Sequence, residues 1–149
     1  MRLYVMRHGP AEGDSPTGRD FDRRLTASGK ECVATVATAL RARREALPTI
    51  LSSPLVRAVQ TAEIVRTTLG VPPEVQIREE LAPGEGSVSL AFELARGPDA
   101  SVLVVSHAPD VSELCAALTG AHAGGFSAGM IVALDLEGRG AVRRFVIEP

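Results

Sequence analysis

Short runs of consecutive apolar residues alternate along this chain with longer segments in which apolar residues recur every three or four positions. The short runs predict strands at residues 2–7, 49–52 and 101–106 and a minor strand at 75–77. The amphipathic segments predict helices that begin at Thr26, after Pro54, at Ser87 and near Pro109. Two closing strands, at 130–136 and 141–147, flank a polar turn and predict a hairpin.

This alternation of strands and helices indicates an α/β fold. We expect a three-layer α/β/α sandwich with a mostly parallel central sheet and an antiparallel C-terminal hairpin. The chain has 149 residues without an internal repeat or linker, which predicts a single domain over residues 1–149.

The spacing of apolar residues also predicts which faces of the helices are buried. In the first helix, Ser28 and Glu31 resemble a capping box, and the apolar stripe comprises Val33, Val36, Ala37 and Leu40. Pro48 is expected to end that helix. The second helix is expected to end at Gly70 and to turn Leu55, Val59 and Ala62 inward.

The composition argues against two broad classes of partner. A net charge of −2 and 3% aromatic residues offer neither a positive field nor stacking surfaces for nucleic acid. No apolar run approaches the ~20 residues that span a membrane, and Arg2, Arg7 and His8 interrupt the stretch that a signal peptide would need. We therefore expect a cytoplasmic protein in which Cys32 and Cys115 are reduced core thiols.

Two histidines directly follow predicted strands. His8 stands between Arg7 and Gly9 after the first strand, and Ser106 and His107 follow the strand at 101–106. In open α/β sheets, ligands bind at the carboxyl ends of the strands, so these side chains are expected to meet in one crevice. A histidine nucleophile must be neutral, with one ring nitrogen bare and the other donating to an acceptor such as a backbone carbonyl.

Arginine supplies the matching positive charge. Arg57 lies in the first turn of the second helix, where its guanidinium and the helix amides can face the same crevice. Guanidinium groups bind phosphate oxygens in pairs, which lysine cannot do. No group of Asp, Glu or His has metal-ligand spacing, so neither a metal nor a cofactor is predicted.

Three motifs, in this order along the chain, resemble those of the histidine phosphatase (phosphoglycerate mutase-like) superfamily. They are Arg7-His8-Gly9, the segment SSPLVRAVQTA at 52–62, and Ser106-His107-Ala108-Pro109. The resemblance covers essentially the whole chain. Residues 23–26 and 107–114 further resemble the short bacterial phosphohistidine phosphatase (SixA-type) branch.

This resemblance implies specific roles. His8 would be the nucleophile that is transiently phosphorylated, and Arg7 and Arg57 would hold the phosphoryl oxygens together with His107. Arg23 matches the phosphate-binding arginine of the short branch. These positive neighbours are also expected to keep His8 neutral.

One departure from the superfamily bears on the substrate. Larger members carry a Leu-x-Glu segment whose glutamate protonates the leaving alkoxide, whereas this chain has proline at that place, in Leu81-Ala82-Pro83. Glu80 and Glu85 are possible substitutes, although both also fit as solvated loop carboxylates. A placed general acid contributes ~10²–10⁴-fold to the loss of an alcohol, and an imidazole that leaves as a neutral ring needs it much less. The departure favours phosphoramidate substrates.

The short connection between residues 77 and 101 predicts an open, shallow site that admits a phosphorylated side chain of another protein.

Among the remaining polar residues, Ser106 is expected to orient His107, and His122 is expected to be solvated in a flexible loop. Asp14, Asp20 and Asp22 are expected to serve turns rather than catalysis.

The resulting hypothesis is a metal-independent phosphatase that works through a covalent phosphohistidine on His8 and releases inorganic phosphate. Its expected substrate is phosphohistidine on a protein partner. Two alternatives remain at this stage: a phosphatase for a small phosphate ester, and a module that binds phosphorylated groups with little turnover.

Overall fold

The computed structural model describes residues 1–46, 48–70, 74–121 and 124–149, so that His122 lies outside the described residues. The strands within those residues are β1 (Arg2–Arg7), β2 (Thr49–Ser52), β3 (Gln76–Ile77), β4 (Ser101–Ser106), β5 (Ile131–Glu137) and β6 (Gly140–Ile147). The α-helices are α1 (Ala27–Ala42), α2 (Val56–Leu69), α3 (Ser87–Ala95) and α4 (Asp110–Thr119). Short 3-10 helices cover Asp20–Asp22 and Glu79–Leu81.

The strands form one sheet in the order β3-β2-β4-β1-β5-β6. β3, β2, β4 and β1 are mutually parallel, whereas β5 pairs antiparallel with both β1 and β6. Among the described strands, β5 alone therefore runs against the others. The predicted mostly parallel sheet with a C-terminal hairpin is confirmed.

Two apolar clusters cover the two faces of this sheet. Tyr4 and Met6 of β1 belong to the cluster that includes α1 and α2, whereas Leu3 and Val5 belong to the cluster that includes α3 and α4. Successive side chains of a strand point to opposite faces, so a strand buried on both faces is apolar throughout. The three-layer arrangement follows from this burial.

The start of α1 differs from its prediction. Thr26 is the N-cap, and its hydroxyl accepts a hydrogen bond of 2.8 Å from the amide of Gly29. Ser28 already lies inside the helix, so the predicted capping box of Ser28 and Glu31 is wrong. The helix also ends at Ala42, before Pro48 is reached.

One of the three residues predicted to face inward from the second helix is not fully buried. Leu55 and Ala62 are buried as expected, but Ala58 is fully buried and Val59 only partly. The apolar spacing misplaced this face because two of its buried residues, Arg57 and Thr61, are polar. Both take part in the site described below. The apolar face predicted for α1 is confirmed.

The long loop after β1 folds back against the start of α1. Ala11 forms a β-bridge with Leu25, and the amide of Thr26 donates to the carbonyl oxygen of Pro10 over 3.1 Å. The backbone approaches α1 so closely that a Cβ at Gly29 would lie 2.0 Å from the Pro10 oxygen.

Within the described residues, none of the helices has the length and apolar character needed to cross a membrane.

This close approach predicts that Gly29→Ala destabilises the fold. Alanine favours a helix by about 1 kcal/mol over glycine, but a clash with a backbone oxygen costs up to about 3 kcal/mol, so we expect a net loss of up to about 2 kcal/mol. Urea unfolding measures the free energy, with Gly13→Ala as the control because a Cβ there meets nothing within 4 Å. A Gly29→Ala protein as stable as the parent would contradict the predicted clash.

Candidate active site

His8 leaves β1 at the sheet edge where β4 also ends. β1 and β4 are parallel and in register, with Arg7 opposite Ser106, so His8 and His107 emerge side by side. The backbone amide of His8 donates to the Ser106 carbonyl over 3.1 Å. The two imidazole centroids are 5.1 Å apart, as the predicted crevice requires.

The tautomer of His8 is fixed by its neighbour. Nδ1 lies 2.8 Å from the carbonyl oxygen of Gly9. A carbonyl can only accept, so Nδ1 carries the proton and Nε2 keeps its lone pair. The side chain is 8% exposed. The bare nitrogen and the backbone acceptor on the other side of the ring, which a histidine nucleophile needs, are thus both present.

Arg57 directs its guanidinium to that bare nitrogen. Its Nε lies 3.4 Å from Nε2 of His8, at the long end of a hydrogen bond. The first turn of α2 places Arg57 there, and Thr61 one turn later connects this helix to the loop of the nucleophile. The Thr61 hydroxyl accepts from the Gly9 amide over 3.1 Å and donates to the Arg57 carbonyl over 2.8 Å.

Gly9 is required by packing against α1. A Cβ at this position would lie 2.4 Å from Cγ2 of Val33. The close neighbour of Gly9 in the structure is therefore the first helix. The absence of a side chain lets the loop turn directly after His8.

His107 is 3% exposed, and its ring has one hydrogen-bond partner among the described residues. Its Nε2 lies 2.8 Å from the hydroxyl oxygen of Ser53, which also accepts from the Leu55 amide over 3.2 Å. Ser53, and not Ser106 as predicted, therefore orients His107. The Ser106 hydroxyl instead donates to the carbonyl oxygen of Leu81 over 2.7 Å and fixes the 3-10 helix Glu79–Leu81.

Two buried polar atoms of this cluster have no hydrogen-bond partner among the described residues: Nε of Arg7 and Nδ1 of His107. Arg7 uses Nη1 to donate to the carbonyl oxygen of Phe126 over 2.7 Å, which leaves its Nε unpaired. An unsatisfied buried polar group costs about 1–3 kcal/mol. A ligand that reached either atom would relieve that cost.

Arg23 and Arg57 are bridged by Asp20. One carboxylate oxygen of Asp20 accepts from Nη1 of Arg23 over 3.0 Å and the other from Nη2 of Arg57 over 3.1 Å. The Asp20 carbonyl oxygen accepts from Nη1 of Arg57 over 2.8 Å. The structure thus joins Arg23 to the cluster, as predicted, through an aspartate that the sequence analysis assigned to a turn. The only sequence signal for it is the three-residue spacing of Asp20 and Arg23.

Burial and positive charge keep both histidines neutral. The pKa of His8 is lowered to about 4, mainly by burial; the Gly9 carbonyl opposes this effect, and the charges of Arg57, Arg7 and Arg23 add to it. Burial lowers the pKa of His107 to about 3, aided by His8 and Arg57. The cationic neighbours of His8 were predicted to keep it neutral, but desolvation is the larger cause.

The two candidate acids lie apart from this cluster. Glu80 forms an ion pair of 2.5 Å with Arg78, and the hydrogen bond to Arg78 lowers the pKa of Glu80, so this group stays ionised. Glu85 is exposed in the loop before α3. Across the described residues, no hydrogen bond joins either glutamate to His8 or His107. In the same part of the chain, no three His, Cys, Asp or Glu side chains converge as metal ligands would.

Comparison with known proteins identifies the family of this chain. Residues 3–83 match the sequence model of the histidine phosphatase superfamily (branch 1). The chain is 37% identical over 121 residues to the phosphohistidine phosphatase SixA of Escherichia coli, which covers 79% of this chain and 74% of the relative. It is also 37% identical over 139 residues to an uncharacterized protein of Picosynechococcus, covering 88% of this chain and 83% of that protein.

The same fold occurs in a solved structure of the protein histidine phosphatase SixA complexed with tungstate. The TM-score is 0.90 at 32% sequence identity, and the match covers 99% of this chain and 97% of the other. The fold and the sequence define a phosphatase. The chain belongs to the histidine phosphatase superfamily, which confirms the resemblance found in its motifs.

The lowered pKa values predict how stability depends on pH. Between its ordinary pKa of 6.5 and about 4, His8 binds a proton when unfolded but not when folded. The free energy of unfolding should therefore fall as the pH falls from 7 to 5. Each buried histidine contributes up to about 1.4 kcal/mol per pH unit.

Urea unfolding at several pH values between 7 and 5, above the range of the carboxylates, measures this slope. His107→Gln removes one of the two contributions, so its slope should be smaller than that of the parent. An unchanged slope would show that folding does not lower the pKa of His107.

Proposed function

We propose that this protein removes the phosphoryl group from phosphohistidine on a partner protein and carries it transiently on His8. The observation that carries the proposal is the bare Nε2 of His8, fixed by the Gly9 carbonyl and facing the guanidinium of Arg57. Its neutrality at physiological pH makes this nitrogen available as a nucleophile.

In the first step, the lone pair of Nε2 attacks phosphorus while the bond from phosphorus to the leaving nitrogen breaks. The leaving ring takes the bonding electrons. A phosphohistidine that is protonated on its other ring nitrogen departs as neutral imidazole, so no acid has to deliver a proton. His8 becomes a phosphorylated imidazolium, and the Gly9 carbonyl that accepts from Nδ1 stabilises its charge.

In the second step, water attacks phosphorus from the side opposite to His8. The bond from phosphorus to Nε2 breaks, and the electrons return to the ring and restore the neutral nucleophile. Water loses a proton to solvent, and inorganic phosphate is released. Both steps pass through charge on the three equatorial oxygens, which fixed positive donors stabilise.

Four side chains supply those donors. Arg57 and Arg23 hold phosphoryl oxygens with their Nη groups, and Arg7 and His107 add the buried atoms that lack partners. Both histidines are neutral, so the positive charge comes from the guanidinium groups. The SixA structure of the same fold contains tungstate, a tetrahedral oxyanion, which supports a pocket for such groups.

Three observations support phosphohistidine over an alcohol ester. Pro83 stands where larger superfamily members have the acidic residue, and the nearby Glu80 is held ionised by Arg78. An alkoxide leaving group would therefore lack its proton donor. The similarity to a phosphohistidine phosphatase of Escherichia coli points to the same substrate class.

His8→Ala should abolish turnover of an aryl phosphate and of a phosphohistidine protein, because it removes the attacking nitrogen. Turnover of ³²P-labelled aryl phosphate quenched in alkaline detergent, followed by peptide mapping at alkaline pH, should place the label on His8 in the parent protein, because phosphohistidine is labile in acid. The control is Arg66→Ala at the far end of α2, where the guanidinium pairs with Glu63. A label on another residue would contradict the assignment of the nucleophile.

The parent protein should hydrolyse an aryl phosphate at least about 10²-fold faster than an alkyl phosphate, because phenolate leaves without a general acid. Steady-state kcat/KM values on both esters and on a phosphohistidine protein measure this preference. Equal values on the two esters would show that an acid is present and would favour a small-ester phosphatase. Binding without turnover of any of the three would favour a phospho-binding module.

A further inference from the structure

Asp20 presents its carboxylate to the two arginines whose donors a phosphoryl group would need. Its two oxygens accept separately from Arg23 and Arg57, at 3.0 and 3.1 Å. The same Arg57 guanidinium reaches Nε2 of His8 with its Nε. The carboxylate is therefore bound beside the nucleophile by the groups assigned to the substrate.

Carboxylates and phosphoryl groups compete for guanidinium because both offer pairs of oxygens that match its planar fork. The Asp20 side chain is 63% exposed, and it lies on a short 3-10 helix outside the sheet. It can turn toward solvent without disturbing the core. The hydrogen bond to Arg23 holds the pKa of Asp20 below its usual range, so the group is an anion at neutral pH.

We propose that Asp20 sets the affinity of the phosphoryl pocket by competing with phosphoryl oxygens for the Nη donors of Arg57 and Arg23. This inference rests on the proposed function, because it takes the pocket to be the phosphoryl site. An incoming phosphoryl group displaces the carboxylate, and the carboxylate returns as inorganic phosphate leaves.

Charge explains which ligands this competition favours. Arg7, Arg23 and Arg57 are positive and both histidines are neutral, so the pocket sets three positive charges against the single negative charge of Asp20. A dianionic phosphoryl group that takes the place of the carboxylate neutralises two of those charges instead of one and offers more oxygens. A singly charged anion gains little from the exchange. The competition selects for dianionic tetrahedral groups and weakens the hold on the product.

The alternative role for Asp20 is support, in which its carboxylate holds Arg23 and Arg57 in place for the substrate. The two roles predict opposite signs. Removal of a competitor tightens the binding of phosphate, whereas removal of a support weakens it. The sign of the change in affinity therefore decides between them.

Asp20→Asn keeps the size of the side chain and removes its charge. Isothermal titration calorimetry with inorganic phosphate at pH 7.5 should give a dissociation constant about three- to tenfold lower than that of the parent, as expected for the loss of a partly exposed ion pair. The inhibition constant for phosphate as product should fall by a similar factor. Asp20→Ala, which also removes the acceptor oxygens, should show the same direction.

Asp22→Asn is the matched control. It removes one carboxylate charge from the same 3-10 helix, but Asp22 is bonded to the Thr17 hydroxyl and not to an arginine of the pocket. Its affinity for phosphate should equal that of the parent. An equal gain in both variants would show a general charge effect and overturn the competition, as would weaker or unchanged binding by Asp20→Asn.

Arg57→Ala separates this inference from the proposed function. It should abolish phosphate binding, because it removes the guanidinium next to His8. If the Arg57→Ala variant binds phosphate with the affinity of the parent, phosphate binds elsewhere. This result would contradict both the proposed function and the competition by Asp20. If Arg57→Ala loses binding while Asp20→Asn gains none, the phosphoryl site stands and only the role of Asp20 is rejected.

Discussion

The parallel pairing of β1 with β4 holds the site together. Arg7 lies opposite Ser106, and this register brings His8 and His107 to the same edge of the sheet. Both strands are buried on two faces, so a slip of one residue would exchange the side chains that meet α1 and α2 with those that meet α3 and α4. The distance between the two imidazoles therefore depends on core packing at several positions. The packing at the centre of the sheet therefore fixes the positions of His8 and His107 relative to each other.

Desolvation gives this rigid site its chemical character. Arginines surround His8, yet burial is the main reason that the pKa of its imidazole is low. A solvated histidine beside the same charges would titrate closer to its ordinary range. Buried arginine is tolerated at 6% exposure because Arg57 donates to Asp20 and to His8. The hydrogen bonds that Arg57 donates thus compensate for the burial of its guanidinium beside His8.

Much of this arrangement could be predicted from the sequence, because buried strands and amphipathic helices leave strong periodic signals. The positions of His8 and His107 followed from the strand ends, and Arg57 from the start of α2. Errors arose where a polar side chain performs a task that periodicity does not encode. Thr26 caps α1 in place of Ser28, and Ser53 holds His107 in place of Ser106. Asp20 was missed because its partners are set by the folding of a long loop.

The nucleophile strand depends on partners that lie far along the chain. β1 is flanked by β4 and β5, and the amide of Gly129 donates to the carbonyl oxygens of both Arg7 and His8. Contacts of such long sequence separation close late in folding, because the entropy of a large loop must be lost first. During synthesis on the ribosome, His8 emerges well before the strands that shield it. A nascent chain therefore carries its nucleophile in water, with an ordinary pKa and no pocket, until β5 has left the exit tunnel.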